Sequence, residues 1–246
     1  MWDNLFDAAT TTRTASSEAT DYEVANIVNR WHTRRWRSTG VAAEWVKTDL
    51  GSPQEIKSLI IKNHQFTNAA TITIQANTID DWAAPPLDTV LPWTTDRIIK
   101  WWTAGETYRW WRVLIADAAN PAGYVAIGRI FLGSYFTPQI NFTRQYKKRL
   151  VDPSIKMYST GGQISAGSKL HYREWAYDFE IIEAPDNVTF EEVFAGVGQS
   201  KPYFICQDAD DEWKTLYYVE NLSDWDIQHI SMDTYFGMGL AVEEMR

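Results

Sequence analysis

Residues 108–133 read YRWWRVLIADAANPAGYVAIGRIFLG. Two apolar runs, "WWRVLIAD" and "GYVAIGRIFLG", flank Asn120-Pro121-Ala122-Gly123, a string of turn-forming residues. Neither run keeps a 3.6-residue period, and both are rich in β-branched and aromatic side chains, so each reads as a strand. Side chains alternate across a strand, so Trp110 and Trp111 cannot both face a core. One member of this pair, and one of Trp101 and Trp102, must point to the opposite face.

The same signature extends outward. "EWVKTDLG" (44–51), "EIKSLIIKNH" (55–64) and "ATITIQAN" (70–77) are further short runs, separated by Gly, Pro, Asn or Asp. In the last, Ile72 and Ile74 share one face and the threonines the other. Residues 1–136 are therefore expected to form an antiparallel jelly-roll β-sandwich. Charge marks a boundary: residues 1–136 carry 13 basic and 14 acidic side chains, residues 137–246 carry 10 and 18. We read two domains, 1–136 and 137–246, the second acidic.

The second domain mixes strands with a helix. "LHYREWAYDFEII" (170–182) alternates strictly, with His171, Arg173, Trp175, Tyr177, Phe179 and Ile181 on one face. In "APDNVTFEEVFAGVGQ", Thr189 and Glu192 match a capping box, Phe190, Val193, Phe194 and Val197 share a helical face, and Gly196 and Gly198 supply a stop. "PYFICQ", the turn "DADDE" and "WKTLYYVENL" read as a hairpin, and "DTYFGMGLAVEEM" as a closing strand. The expected class is mainly β overall, with an α+β second domain holding one helix.

Composition narrows the function. Thirteen tryptophans favour cores near loops, interfaces and ligand platforms, because each indole carries an N–H that needs a partner. A formal net charge of −9 argues against a broad nucleic-acid footprint. No apolar run is long enough to span a bilayer as a helix, and "MWDNLFDAATTT" lacks the basic start and apolar centre of a secretory signal. Synthesis in the cytoplasm, without export or membrane insertion, is the expectation. Cys206 is the single cysteine, read as a small buried apolar residue.

Catalytic and metal motifs do not complete. "GGQISAGSK" (161–169) places Ser168 between its last glycine and the lysine and precedes a strand, so it reads as a flexible loop instead of a phosphate cradle. Asp208, Asp210, Asp211 and Glu212 lack the glycine and the distal glutamate of a calcium loop and read as a solvated turn. His32, His64, His171 and His229 are scattered, without zinc-ligand spacing. No catalytic residue, metal site or cofactor is expected. The cluster that does carry binding chemistry is "RWHTRRWRS" (30–38). Aromatic faces beside guanidinium and imidazole donors can stack on a sugar ring and bond its hydroxyls. Trp31, His32, Arg34 and Arg35 are the candidate glycan-binding residues; the alternative for the cluster is one tryptophan plugging the end of the sandwich with solvated arginines around it.

Two resemblances organise these observations. "HTRRWRS", "AEWVKTDLGSPQEIKSLII" and "RWWRVLIADAANPAGYVAIGRIFLG" resemble, in order, the blocks of discoidin-like (coagulation factor 5/8 type C) domains over roughly residues 4–135. That resemblance implies a jelly roll, and many members bind glycans or membranes through loops at one end. Asn29 and Arg129 replace the acidic residues of calcium-bearing members, which implies no family-type calcium. Residues 170–245 are similar in their sequence of features to minor and distal tail proteins of long-tailed bacteriophages. This likeness implies a non-enzymatic virion component of a tail tip or baseplate, self-assembled into a ring of three or six copies. Its partners would be other tail proteins and, through the discoidin-like domain, a host-surface glycan. The alternative is a free carbohydrate-binding protein or an accessory module of a glycan-degrading system.

Overall fold

In a computed structural model of the chain, residues 1–143, 146–231 and 235–245 are described, with the side chains of residues 209, 213, 231 and 235 left aside. The chain divides into two compact units: Met1–Tyr135 with Cys206–Leu216, and Phe136–Ile205 with Tyr217–Arg246.

The first unit is built on two long antiparallel strands, β3 (Glu44–Lys62) and β6 (Arg97–Ala116). The runs 44–51 and 55–64, expected as separate strands, are two halves of β3. Gly51, at φ 79°, and a register shift between Asp49 and Gln54 bend the strand without breaking it. One half of each long strand lies in a layer with β1 (Thr12–Ala15), β4 (Thr71–Asn77) and β5 (Leu87–Leu91), in the order β1-β3-β6-β4-β5. The other half of β3 pairs with β8 (Arg129–Gly133), from Ser58 opposite Gly133 to Lys62 opposite Arg129. Strands that pass from one layer to the next through bulges are how a sandwich turns its corners. A short ladder of β2 (Trp36–Arg37) with β7 (Ala126–Ile127) completes an antiparallel β-sandwich.

The alternation that the tryptophan pairs demand is realised. Trp111, opposite Thr48, is buried at 1% exposure, whereas Trp110, opposite Asp49, lies half-buried on the outer face. There Lys47 approaches the rings of Trp45 and Trp110, 5.4 Å from each. Trp102 is buried edge-on to Trp111, and Trp101 meets Tyr135 on the other side. Ile27, Trp36, Ile56, Leu59, Ile72 and Ile115 are among the core side chains.

The second unit is a sheet in the order β13-β14-β16-β12-β9, with β15 also paired to β16. These strands are β9 (Lys147–Val151), β12 (Tyr172–Glu183), β13 (Tyr203–Cys206), β14 (Leu216–Asn221), β15 (Ile227–Ser231) and β16 (Tyr235–Glu244). A separate two-stranded ribbon joins β10 (Ile155–Tyr158) and β11 (Ile164–Gly167). Helix α1 (Ala184–Val197) packs on the apolar face of the sheet, where Phe190 meets Phe179 at 5.1 Å between ring centres. On the same face Tyr203 donates to Asn221, which in turn donates to the carbonyl of Gly198, each at 2.6 Å.

Within residues 137–246 several elements differ from the expectation, including the turn 206–216, which belongs to the first unit. α1 starts at Ala184, ahead of Thr189: Pro185 suits the first turn, and Thr189 lies inside the helix, its hydroxyl turned to the Pro185 carbonyl, so there is no capping box. Of the two glycines expected to stop the helix, Gly196 lies inside it and Gly198 ends it, its N–H donating to the Phe194 carbonyl. In β12, Trp175, Tyr177 and Phe179 face inward, but a bulge after Phe179 turns Ile181 outward and buries Ile182. Residues 164–167 of the expected loop form β11, and the tip closes with Ser159 donating to Gln163. Between β13 and β14 the turn is helical, ending in the single turn α2 (Glu212–Thr215). Cys206 is only half-buried, its thiol donating to the Asp208 carbonyl and pushed up in pKa by burial. Residues 233 and 234 of the expected closing strand lie outside the described residues; β16 covers 235–244 and stops before Met245.

Candidate functional site

The segment 29–37 connects a short 3-10 helix, Val24–Val28, to β2. The side chain of Asn29 accepts the N–H of Trp31 at 3.0 Å, and the N–H of Arg34 donates to the Trp31 carbonyl at 2.9 Å. These two bonds set a tight turn over residues 31–34 and lift the indole of Trp31 away from the core. Trp31 is 46% exposed, with the Arg30 guanidinium 5.0 Å from its ring centre. Arg34 is exposed on the same turn. Trp36, five residues on, is 0% exposed, its indole N–H donating to the Ser17 carbonyl at 3.0 Å. The two tryptophans of the motif therefore divide the labour: one presented, one plugged.

The turn is fastened from below by the end of β3. Asn63 adopts φ 56°, a left-handed conformation that asparagine tolerates better than most residues. Its amide donates to the His32 carbonyl at 2.7 Å, and its Oδ1 accepts the Arg35 guanidinium at 2.5 Å. Arg35 also reaches Gln65 at 3.5 Å. Gly128 passes beside this junction so closely that a Cβ there would lie 2.1 Å from the His32 carbonyl oxygen. Arg35 is thus a strut of the loop, and Trp31 and Arg34 are what the strut holds out.

His32 is half-buried, and burial, aided by the nearby positive charge of Lys62, lowers its pKa to about 4. It is neutral at pH 7. His64 is likewise pushed down by burial; its Nε2 donates to the Thr94 carbonyl at 2.9 Å, while Nδ1 accepts the N–H of Phe66. Beneath them Lys62 pairs with Asp96, whose carboxyl burial alone would raise but which Lys62 and Arg97 together hold below the usual range.

Sequence spacing did not single out a second aromatic feature on the same segment. The Arg37 guanidinium lies between Tyr124, 3.8 Å from the ring centre, and Tyr22, at 5.2 Å, and Tyr22 is exposed. The three positions are remote in sequence; only the pairing of Arg37 with Ala126 brings Tyr124 alongside.

A divalent cation does not fit at Arg129. This side chain is buried, its guanidinium donating to the Ile27 carbonyl at 3.0 Å and pairing with Asp7, so the spot already holds a positive charge. Among the described residues no three His, Cys, Asp or Glu side chains gather as a metal site, and no helix is long and apolar enough to cross a membrane.

No protein-family model matches the chain, and no curated protein does. Solved structures do. The chain is similar, over about half its length, to solved carbohydrate-binding modules. One is chitosan-binding module 1 of a chitosanase/glucanase from Paenibacillus sp. IK-5, 24% identical, covering 54% of this chain and 99% of that module, with a TM-score of 0.42. Another is the family 32 module of C. perfringens NanJ in complex with galactose, 11% identical, covering 50% and 93%, with a TM-score of 0.41. A fucose-binding module of Streptococcus pneumoniae is 16% identical, covering 55% and 99%, with a TM-score of 0.44.

Proposed function

We propose that the chain is a non-catalytic carbohydrate-recognition protein whose first unit binds a glycan at the 30–35 turn. The observation that carries this reading is the presentation of Trp31: a nearly half-exposed residue beside Arg30, with Arg34 exposed on the same turn, which Asn63 and Arg35 hold. An exposed aromatic face gains by covering the apolar face of a pyranose ring, and flanking guanidiniums donate to its hydroxyls. Pinning the turn beforehand lowers the ordering cost of binding. His32 contributes shape and a neutral ring, with its backbone carbonyl already used by Asn63. The sequence resemblance to discoidin-like domains, many of which bind glycans or membranes through loops at one end, supports a glycan as ligand. A glycan array probed with the full chain, with Trp31→Ala as control, tests the reading: retained hits on the variant would count against it.

A second reading makes the chain a structural virion component of a phage tail tip, made in the host cytoplasm and ringed in three or six copies with other tail proteins. Its support is the exposed two-stranded ribbon of the second unit, which presents apolar side chains suited to assembly. The likenesses to solved modules named above lend it no support.

A further inference from the structure

Charge in the second unit is segregated along the chain. Residues 144–170 carry six basic and one acidic side chain, whereas the rest of that unit carries three basic and thirteen acidic ones. The basic segment comprises β9 and the β10–β11 ribbon. β9, "KKRLV", is an edge strand of the sheet, paired among the described residues with β12 alone and exposed at Lys147, Lys148 and Arg149. Among the described residues the ribbon pairs with no other strand. Its base is tied by Lys169 donating its N–H to Ser154 and by Asp152 against His171.

This arm is also unusually apolar for an exposed element. Half of the exposed large hydrophobic side chains among the described residues fall in residues 140–170. Leu150, Ile155, Met157, Tyr158, Ile164 and Leu170 are each more than half exposed. A two-stranded ribbon is marginally stable alone in water, and an apolar one with unpaired edges is a template for association.

The complementary surface lies on the same sheet, over β12, β16 and β15. On the face opposite α1, Asp178 and Glu180 of β12, Gly237 and Gly239 of β16, and Asp226 and Ile230 by β15 line a groove of about 310 Å³. Gly237 and Gly239 leave its floor as bare backbone, Ile230 is exposed along one wall, and among its lining residues there are three carboxylates and no cation. One unit thus carries an apolar, basic arm and an acidic groove as distinct surfaces.

We infer that the second unit binds a second copy of this chain head-to-tail, the basic β9–β11 arm of one protomer docking on the acidic β12–β15–β16 groove of the next. The two patches are different surfaces, so the contact is heterologous, and it leaves a free arm at one end and a free groove at the other. Opposed charge fixes the direction, since arm against arm and groove against groove both repel. This inference goes beyond glycan recognition and does not depend on the tail reading.

The test uses the full chain in sedimentation velocity across protein concentration and salt. The wild type is expected to associate at low ionic strength and to weaken at least tenfold in apparent Kd as salt rises. A charge-reversed arm (Lys147→Glu, Lys148→Glu, Lys156→Glu) and a charge-reversed groove (Asp178→Lys, Glu180→Lys, Asp226→Lys) should each be monomeric. Mixing the two should restore association, because each mixture contains a native arm and a native groove. All six positions are on exposed side chains, and circular dichroism checks that each variant is folded. A wild type that stays monomeric throughout overturns the inference. So does an arm variant that dissociates while the groove variant does not, which would mean an arm-to-arm contact.

Discussion

Asn63 holds His32 by its backbone: the Asn63 amide donates to the His32 carbonyl at 2.7 Å, and the same side chain accepts the Arg35 guanidinium at 2.5 Å. One residue at the end of β3 therefore ties both ends of the turn that presents Trp31. Asn63→Gly keeps the left-handed backbone and removes only the tie. It should lower glycan affinity by about tenfold at a stability cost of about 0.5–1.5 kcal/mol, the worth of a hydrogen bond. Calorimetric titration alongside thermal unfolding separates the two effects.

Trp31 and Trp36 should respond in opposite ways. Trp31→Ala should cost about tenfold or more in glycan affinity and leave the melting temperature nearly unchanged, since the indole is half in solvent. Trp36→Ala should cost about 3–5 kcal/mol of stability, the usual penalty for emptying a buried aromatic site. Equal destabilisation by the two variants would contradict the division between presented and plugged.

Only part of this was legible in the sequence. Strict alternation located β4 and β12, and the doubled tryptophans correctly demanded opposite faces, because period-two geometry acts on neighbours. Three features depended on contacts distant in the chain and had no local signature. β3 runs on through Gly51-Ser52-Pro53 because both flanks, up to Asp49 and from Gln54, pair with β6. Asn63 lies 31 residues from His32, and nothing in "KNHQF" announces its grip on that carbonyl. Arg37 meets Tyr124 only through the β2–β7 ladder. The capping box at Thr189 misled because a better start, Pro185 in the first turn, lay four residues upstream.

Acid should loosen the first unit. His32 titrates at about 4 when folded against an ordinary value of 6.5, so between these values the unfolded chain binds the extra proton. Stability from this group is full above pH 6.5 and is lost progressively as pH falls towards 4. His64, lowered by burial as well, acts in the same direction. Melting temperatures measured between pH 7 and 4 should fall, and His32→Gln should flatten part of that slope while leaving the contribution of His64.

Gly128→Ala should damage stability and binding together. The added methyl would lie 2.1 Å from the His32 carbonyl and 3.0 Å from the Asn63 Cβ, so the turn must move. A loss of about 1–3 kcal/mol is expected, as for other overpacked sites. Glycan affinity should fall with it, whereas Trp31→Ala lowers affinity alone, and paired melting and titration curves would show the difference.

The central claim is that a glycan docks on Trp31, and the chain's thirteen tryptophans provide the reporter. Two-dimensional NMR of the indole N–H groups, titrated with an oligosaccharide identified on the array and with the Trp31 peak assigned by Trp31→Phe, reads each ring separately. The account predicts a saturable shift of the Trp31 resonance while those of Trp36 and Trp111, sealed in the core, stay still. Saturable shifts confined to Trp45 and Trp110 on the outer sheet face, or no shift at any indole, would contradict it.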